Sequence, residues 1–435
     1  MEFKLSVLDE LKFHLQIAIQ VELSTIPIYL YTYYSINRRP EKCDQYGPPN
    51  DYMIATFANK AGGTIMSVAI EEMLHMSLAS NILRAVGGTP KIYGLSPQSF
   101  PTNLLEHRPG PLFDLAKLSV YQLNQFLLIE KPEAKDAPPE SDNWDTLGQF
   151  YDYILTLVEK LQDSDFQHGD SYQLSDKKGS GTTGYYVSSN VDTIYPDNAV
   201  AFTKPIEKNN PIQPLESSAH YSNQDDSGNL MVINSKASAK AAITMIKDQG
   251  EGYNHDDTHK PDDPSKKEDS HWYKFNSLLT QSQNFTADEW NCFLFQFPNN
   301  PKRANTPAEY VCVVDLVNAV YSYLLKITEV SYTLTGNAQY AMFYIGMHKG
   351  MIFILDKLIG NMRYTAISPD GTVLAPTFEN FPFQTDDPKQ ELLALCDTVS
   401  ARYPGICDAN IAQRIYDLPD VNIKYTPEGV AIVNF

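Results

Sequence analysis

Residues 70–83, IEEMLHMSLASNIL, combine acidic and imidazole side chains with a regular apolar pattern. Glu72 and His75 are three residues apart and share one stripe of a predicted helix with apolar neighbours such as Ala79 and Ile82. Residues three apart project from one helix face, so a carboxylate oxygen and an imidazole nitrogen can reach a single cation. Burying such groups costs free energy unless their charge and hydrogen bonding are compensated. The pattern therefore predicts a metal ion held by Glu72 and His75.

Glu22 supplies a further ligand on an earlier predicted helix, residues 5–37. Pro27 lacks a backbone donor and predicts a kink one turn beyond Glu22. A Glu-x-x-His pair alone is also common on helix surfaces, but Glu22 on an equally apolar stripe favours metal binding. Two carboxylates and an imidazole without a thiolate suit an iron or manganese site in a helix bundle. The positions on this stripe are Leu8, Leu11, Leu15, Ala18, Glu22, Thr25 and Tyr29.

Three other side chains near these patterns are expected to surround a site rather than to bind metal. Glu71 faces away from the Glu72 stripe, so it either supports the ligands from behind or is solvated. Tyr29 and Tyr151 are expected to line the core or a pocket, as most aromatic residues do. A tyrosine beside iron could also donate a proton or an electron. His348, on an apolar helix, is expected to be a core histidine.

Helical periodicity dominates the chain and predicts a mainly α fold of long antiparallel helices. A domain of residues 1–275 is expected to hold the bundle, with a polar loop and hairpin insertion at 163–233. Residues 276–435 are expected to form a helical extension and an irregular tail packed on the bundle. Besides residues 5–37, the predicted helices are about 57–86, ending at Gly87-Gly88, then 144–162, 235–250, 307–334 and 337–361, with a helical segment in LSVYQLNQFLLIEKPE.

The charge and composition of the chain limit the classes of partner that it is expected to bind. The chain has 435 residues and a formal net charge of −19, which argues against nucleic acid or an anionic membrane as the main partner. The first residues mix charged with apolar side chains and lack the uninterrupted apolar core of a secretory signal, so none is expected, and no run of about 18 apolar residues predicts a membrane span. The five cysteines are scattered and indicate neither a disulfide framework nor a thiolate metal site. A soluble cytoplasmic protein is expected, and the oligomeric state is left open.

The chain lacks the motifs of several common enzyme classes. It has no GxGxxG opening a βαβ unit, no GxxxxGK[ST] and no GxSxG. Nicotinamide, nucleotide and serine-hydrolase chemistry therefore lose their usual sequence support.

Several segments, in order, resemble a known family. They are HLQIAIQVELSTIPIYLYTYYSI, IEEMLHMSLASNILRAVGGTP, FLLIEKPE, LGQFYDYI, ASAKAAITMIKDQGEG, SHWYKF and APTFENFP, spread over roughly residues 5–385. This order is similar to that of the ferritin-like domain family that includes the imine dimer synthases of the violacein and rebeccamycin pathways. The resemblance implies a ferritin-like four-helix bundle with long insertions and additional C-terminal helices.

The resemblance also implies where the remaining ligands lie. QGEG supplies Glu251 and SHWYKF supplies His271, a split counterpart of the Glu-x-x-His pair. Taken without the family, Glu251 is a helix-terminal acid and His271 an aromatic-flanked core or surface residue. Family members carry Glu where Gln149 stands here. A neutral amide is a poor bridging ligand, so Gln149 is expected beside the ligands or in the pocket rather than among the metal ligands. One metal ion, an asymmetric pair, or replacement by a nearby acid such as Asp152 all remain open.

The expected function is that of a metalloenzyme. Iron, one or two ions, is the expected cofactor, with manganese as the alternative, and the metal would act as redox centre or Lewis acid. An oxidoreductase or oxygenase acting on a small, aromatic or other organic substrate, with dioxygen as co-substrate, is the main hypothesis. The resemblance points to secondary metabolism. The alternatives are an iron-binding protein without turnover, a redox-neutral imine-coupling enzyme, or a buried ion network without metal.

Overall fold

The computed structural model describes residues 5–38, 50–104, 110–134, 136–175, 230–251, 270–422, 424–425 and 431–432. Within these residues the fold is mainly helical. The first half contains α1 (Val7–Tyr34), α2 (Asn50–Ala85), α3 (Val120–Ile129), α4 (Leu147–Glu159), α5 (Lys236–Gly250) and α6 (His271–Ser282), with short 3-10 helices at Asp163–Phe166 and Asp170–Tyr172.

The remaining elements follow α6. They are α7 (Ala287–Cys292), a 3-10 helix (Arg303–Asn305), α8 (Val311–Ser331), α9 (Gly336–Tyr340), π-helical turns at Ala341–His348 and Met351–Leu355, α10 (Asp356–Met362), α11 (Pro388–Arg402), α12 (Ala409–Tyr416), β1 (Lys424–Tyr425) and β2 (Ala431–Ile432). The two strands pair antiparallel.

Two long continuous helices form the first half of a bundle. α1 and α2 pack along each other, and α1 continues through Pro27 to Tyr34. α1 begins at Ser6, whose hydroxyl accepts a hydrogen bond from the amide of Asp9 at 3.2 Å. After α2 the chain turns at Gly87, whose positive φ of 79° suits glycine at a helix end.

The second half of the bundle consists of two helices that are each divided in two. α3 packs on α6, α4 packs on α5, and α2 contacts both α5 and α6. These contacts indicate that α3 and α4 together form the third helix of the bundle, and that α5 and α6 together form the fourth. Thr146 caps the start of α4 and Ser270 caps the start of α6, so each second half begins as a new helix.

The C-terminal elements pack against the same continuous core as the bundle. α8 is the one helix of the described residues that is long and apolar enough to span a membrane, and 78% of its apolar window is buried inside the protein. It is therefore placed as a core helix. α11 packs on α8 and on α12. The expectation of an irregular tail is wrong for residues 388–416, where α11 and α12 form.

Several sequence predictions fall partly outside the described residues. Most of the predicted insertion at 163–233 and the acidic loop before His271 lie there. The division of the chain at residue 275 stays a prediction. Cys292 is disulfide-bonded, which the scattered cysteine spacing did not predict. The cellular compartment stays a prediction as well.

Candidate metal centre

Two groups of buried metal-ligand side chains share one carboxylate. Glu22, Glu72 and His75 form one group, and Glu72, Glu130 and His271 form the other. Within each group, one ligand atom from every residue lies within 4.8 Å of the others. None of the five side chains belongs to a residue more than 3% exposed. The arrangement suits two neighbouring metal ions with Glu72 between them.

Glu72 occupies the centre because α2 directs it towards both imidazoles. Its Oε1 atom lies 3.4 Å from His75 Nδ1 and 3.2 Å from His271 Nδ1. Its other oxygen, Oε2, accepts a hydrogen bond from the hydroxyl of Thr25 at 2.6 Å. One oxygen of Glu72 is thus held by α1, while the other faces the space between the two histidines.

The remaining two carboxylates flank this pair. Glu22 Oε2 lies 3.7 Å from His75 Nδ1, and Glu130 Oε2 lies 3.4 Å from His271 Nδ1. The Tyr151 hydroxyl donates a hydrogen bond to Glu22, and the Tyr29 hydroxyl donates one to Glu130. Each flanking carboxylate therefore has a buried phenol on one side and an imidazole on the other.

Both imidazoles present Nδ1 to the carboxylates and bind protein groups through Nε2. His75 Nε2 lies 2.9 Å from the side-chain oxygen of Gln249, and His271 Nε2 lies 2.9 Å from Glu71 Oε2. These acceptors favour a proton on Nε2 and leave the Nδ1 lone pair for a metal ion. His271 Nδ1 is fully buried and makes no hydrogen bond with the described residues. A metal ion would satisfy this nitrogen, so the residues fit the expected cofactor.

The electrostatics of these groups show how strongly they depend on one another. Burial, followed by the charge of Glu72, raises the pKa of Glu22 to about 7. The same two causes raise the pKa of Glu130. Burial alone would raise the pKa of Glu72, but the neighbouring imidazoles of His271 and His75 outweigh it and hold that pKa well below its usual range.

The pKa values of the two histidines are raised, whereas burial ordinarily lowers the pKa of an imidazole. Burial acts to lower the pKa of His75, but bonding to Glu22 and Glu72 outweighs it and raises the pKa to about 10. Burial is likewise outweighed at His271, where the charge of Glu130 is the leading cause that raises the pKa well above its ordinary value. Two protonated imidazoles can thus compensate the carboxylates in the place where metal ions would otherwise do so.

Glu251 lies near the centre but not within ligand distance of it. Its Oε2 accepts a hydrogen bond from the amide of Glu133 at 3.1 Å, and its Oε1 accepts one from the amide of Gly148. Burial raises its pKa to about 8. The predicted role as a ligand is not seen in this arrangement, because backbone amides hold both carboxyl oxygens.

Gln149 and Asp152 do not supply the carboxylate of the third helix. Gln149 is 7% exposed, accepts a hydrogen bond from the amide of Asp145 at 2.8 Å and donates one to the Pro138 carbonyl at 3.1 Å. It fastens the loop before α4 instead of facing the centre, which corrects its predicted place. Asp152 pairs with Lys247 at 2.5 Å.

Glu130, at the end of α3, supplies the carboxylate of the third helix. The sequence analysis did not identify this residue. A usable signal was present in LSVYQLNQFLLIEKPE, since Leu123, Phe126 and Glu130 follow helical three-and-four spacing. All three are buried. Glu130 follows the last residue of this short helix and Pro132 comes two residues later, so helical periodicity carries little information at this position.

A cavity of about 20 Å³ adjoins the centre. Its volume is that of about one water molecule, and far below the several hundred Å³ of a pocket for an organic ligand. It opens where the divided helices meet. Its walls consist of Glu22, Glu72, His75, Ile129, Glu130, Leu147, Gly148, Tyr151, Ile246, Lys247, Gly250 and Glu251.

Comparison with known proteins agrees with this architecture. A family model described as ferritin-like matches residues 15–280, more than half of the chain. A ferritin like protein from Caulobacter vibrioides, known from a crystal structure, is similar at 18% sequence identity over 79% of this chain and 94% of that chain, with a TM-score of 0.47. The comparison with curated proteins gives no match. The predicted mainly α fold with a ferritin-like bundle is confirmed by the family match and the helical architecture.

Proposed function

The chain belongs to the ferritin-like family, and on this premise we propose that it is a non-haem iron oxidoreductase with two metal positions. The observation that carries the proposal is the pair of buried ligand groups that share Glu72. Three carboxylates and two imidazoles offer hard oxygen and nitrogen donors, which iron and manganese accept. Both positions lie inside the bundle, where the ligand side chains are shielded from bulk solvent.

The residues have distinct tasks in this proposal. Glu22 and His75 would hold one metal ion, Glu130 and His271 the other, and Glu72 would contact both. When bound, the metal pair supplies redox and Lewis-acid chemistry. Tyr151 and Tyr29 hold phenolic protons against Glu22 and Glu130, one hydrogen bond away from the metal positions. Thr25 fixes the orientation of Glu72.

The size of the adjoining cavity bears on the substrate. About 20 Å³ admits a molecule the size of dioxygen or water but no aromatic compound. We therefore propose dioxygen as the molecule that reaches the centre directly. An organic substrate would have to enter where α3 and α4, and α5 and α6, are interrupted. A small organic substrate of secondary metabolism and imine-dimer-synthase-like coupling are finer proposals, supported by the ordered sequence segments alone.

Metal analysis of the full chain, purified without added iron, tests the ligand assignment. We expect one to two iron or manganese ions per chain. Glu72→Ala removes the carboxylate common to both groups, so its metal content should fall close to zero. Asp356→Asn is the matched control, because Asp356 is a 2% exposed carboxyl of α10 outside both groups. Equal metal content in the two variants would contradict the assignment.

Iron binding without turnover is the second candidate, and the small cavity favours it. Dioxygen consumption by the iron-loaded chain with excess ascorbate separates the two functions. Repeated turnover supports an oxidoreductase, whereas a single burst of about one dioxygen per metal pair supports a binding protein. A content of many iron atoms per chain would indicate storage.

A further inference from the structure

The two halves of the centre match in almost every contact. Each has one flanking carboxylate, one Nδ1-directed histidine, and a share of Glu72. Each flanking carboxylate also accepts a hydrogen bond from a buried tyrosine. Among the described residues, the surroundings of the two metal positions are therefore alike in these contacts, whereas the groups that contact Nε2 of the two histidines differ.

The two halves differ in the charge of the side chain that contacts Nε2 of each histidine. His75 is backed by Gln249, a neutral amide at the end of α5. His271 is backed by Glu71, a carboxylate that is completely buried. The same Glu71 oxygen lies 2.8 Å from Lys274 Nζ, three residues after His271 on α6. Lys274 compensates the charge of Glu71 in the core, as burial of a carboxylate requires.

The outer partner of a metal-bound histidine influences how well the inner nitrogen binds. A carboxylate acceptor polarises the Nε2–H bond more strongly than an amide oxygen and makes Nδ1 a better donor. Loss of such a partner lowers metal affinity by about 10- to 100-fold. The shared ligands cannot cancel this difference, because Glu72 Oε1 faces both histidines.

Resting on the proposed function, we propose that Glu71 and Gln249 are positioning residues that make the two metal sites unequal. The site of Glu130 and His271 binds a divalent ion first, and the site of Glu22 and His75 binds the second ion more weakly. Exchange of the second ion would then leave the first in place.

Titration of the apoprotein with Co²⁺ tests the order of binding. Co²⁺ follows the same ligands as iron and reports its surroundings through visible absorption. We expect two steps whose dissociation constants differ by about 10- to 100-fold. His271→Ala should abolish the tighter step, and His75→Ala should abolish the weaker one.

Variants of the outer partners separate a positioning role from a structural one. Glu71→Gln should weaken the first step by about 10-fold or more and bring the two constants together. Gln249→Glu should strengthen the second step without altering the first. Ligation through Nδ1 should also give two paramagnetically shifted proton resonances from the Nε2–H groups, which disappear in D₂O. Far-UV circular dichroism of each variant verifies that the helices are retained.

The possible outcomes distinguish this inference from the proposed function. Two Co²⁺ ions bound with equal affinity, or a Glu71→Gln variant that weakens both steps alike, would overturn the inequality and leave a two-metal protein. Absence of Co²⁺ binding by the folded chain would overturn both proposals.

Discussion

Metal loading should release protons, because protons and metal ions compete for the same atoms. In apoprotein prepared by chelation at pH 7, His75 with a pKa of about 10 carries a proton, and so does His271, whose pKa is raised well above its ordinary value. Glu22, whose pKa is raised to about 7 by burial and the charge of Glu72, is partly protonated. Each histidine gives up its Nδ1 proton on binding metal and keeps the Nε2 proton. We therefore expect about two to three protons released per chain at pH 7.

The free energy involved is large enough to control affinity. A solution at pH 7 is three pH units below the His75 pKa of about 10, so displacing the His75 proton at this pH costs about 4 kcal/mol. Because the raised pKa values belong to the metal-free form, the cost falls as pH rises. Apparent metal affinity should increase with pH up to about 10, and proton release should decline over the same range.

Isothermal titration calorimetry in buffers with different protonation enthalpies measures this release. The slope of observed enthalpy against buffer enthalpy gives the number of protons at pH 7 and again at pH 9. Asp356→Asn is the control, since Asp356 lies outside both ligand groups and its variant should release the same number of protons as the wild type. Release of less than one proton at pH 7, or an affinity independent of pH, would refute the arrangement of protonated histidines between carboxylates.

Three further predictions concern the neighbouring residues. Burial raises the pKa of Glu251 to about 8 in the folded chain, so its contribution to stability is lost as pH rises from its unfolded pKa through that value. Between pH 7 and 9 the free energy of unfolding should therefore fall by about 1 kcal/mol more in the wild type than in Glu251→Gln, as urea titrations at both pH values will measure. Gly148→Ala would push the added Cβ into the Glu251 carboxyl, so the free energy of unfolding measured with urea should fall by about 1–3 kcal/mol. Gly405→Ala is the control, because nothing lies within 4 Å of its added Cβ, and it should lower the free energy of unfolding far less. Glu130→Gln should reduce the metal content by about one ion per chain, while Gln149→Ala should leave it unchanged in elemental analysis, because only Glu130 belongs to a ligand group.

The sequence predicts the half of the centre that continuous helices supply. Glu22 and the pair Glu72 and His75 lie on apolar stripes of α1 and α2, so helical spacing alone places them on buried faces. Their meeting also follows from the bundle, since two helices that bury one stripe each must bring those stripes together. The helical period of the sequence is therefore sufficient to predict this half of the centre.

The other half could not be derived in the same way, because its residues lie at helix ends. Glu130 follows α3 and His271 begins α6, so neither has a full turn of helix on both sides. Periodicity carries little information at an end, and the separation between Glu251 and His271 depends on a loop whose path the sequence does not specify. The resemblance to a family supplied His271 and Glu251 but pointed to Gln149 rather than Glu130.

Glu251 connects chain segments at the interruptions of the two divided helices. A helix start leaves backbone amides without intrahelical acceptors, and burial makes such amides costly. At the start of α4 the amide of Gly148 is satisfied by Glu251 from the end of α5, and the same carboxyl binds the amide of Glu133 beyond the end of α3. One side chain thus joins three chain segments at the two interruptions. Because helical register no longer constrains the chain there, Glu130 and His271 can approach Glu72 from separate segments, while α1 and α2 hold the opposite side of the centre by continuous helix.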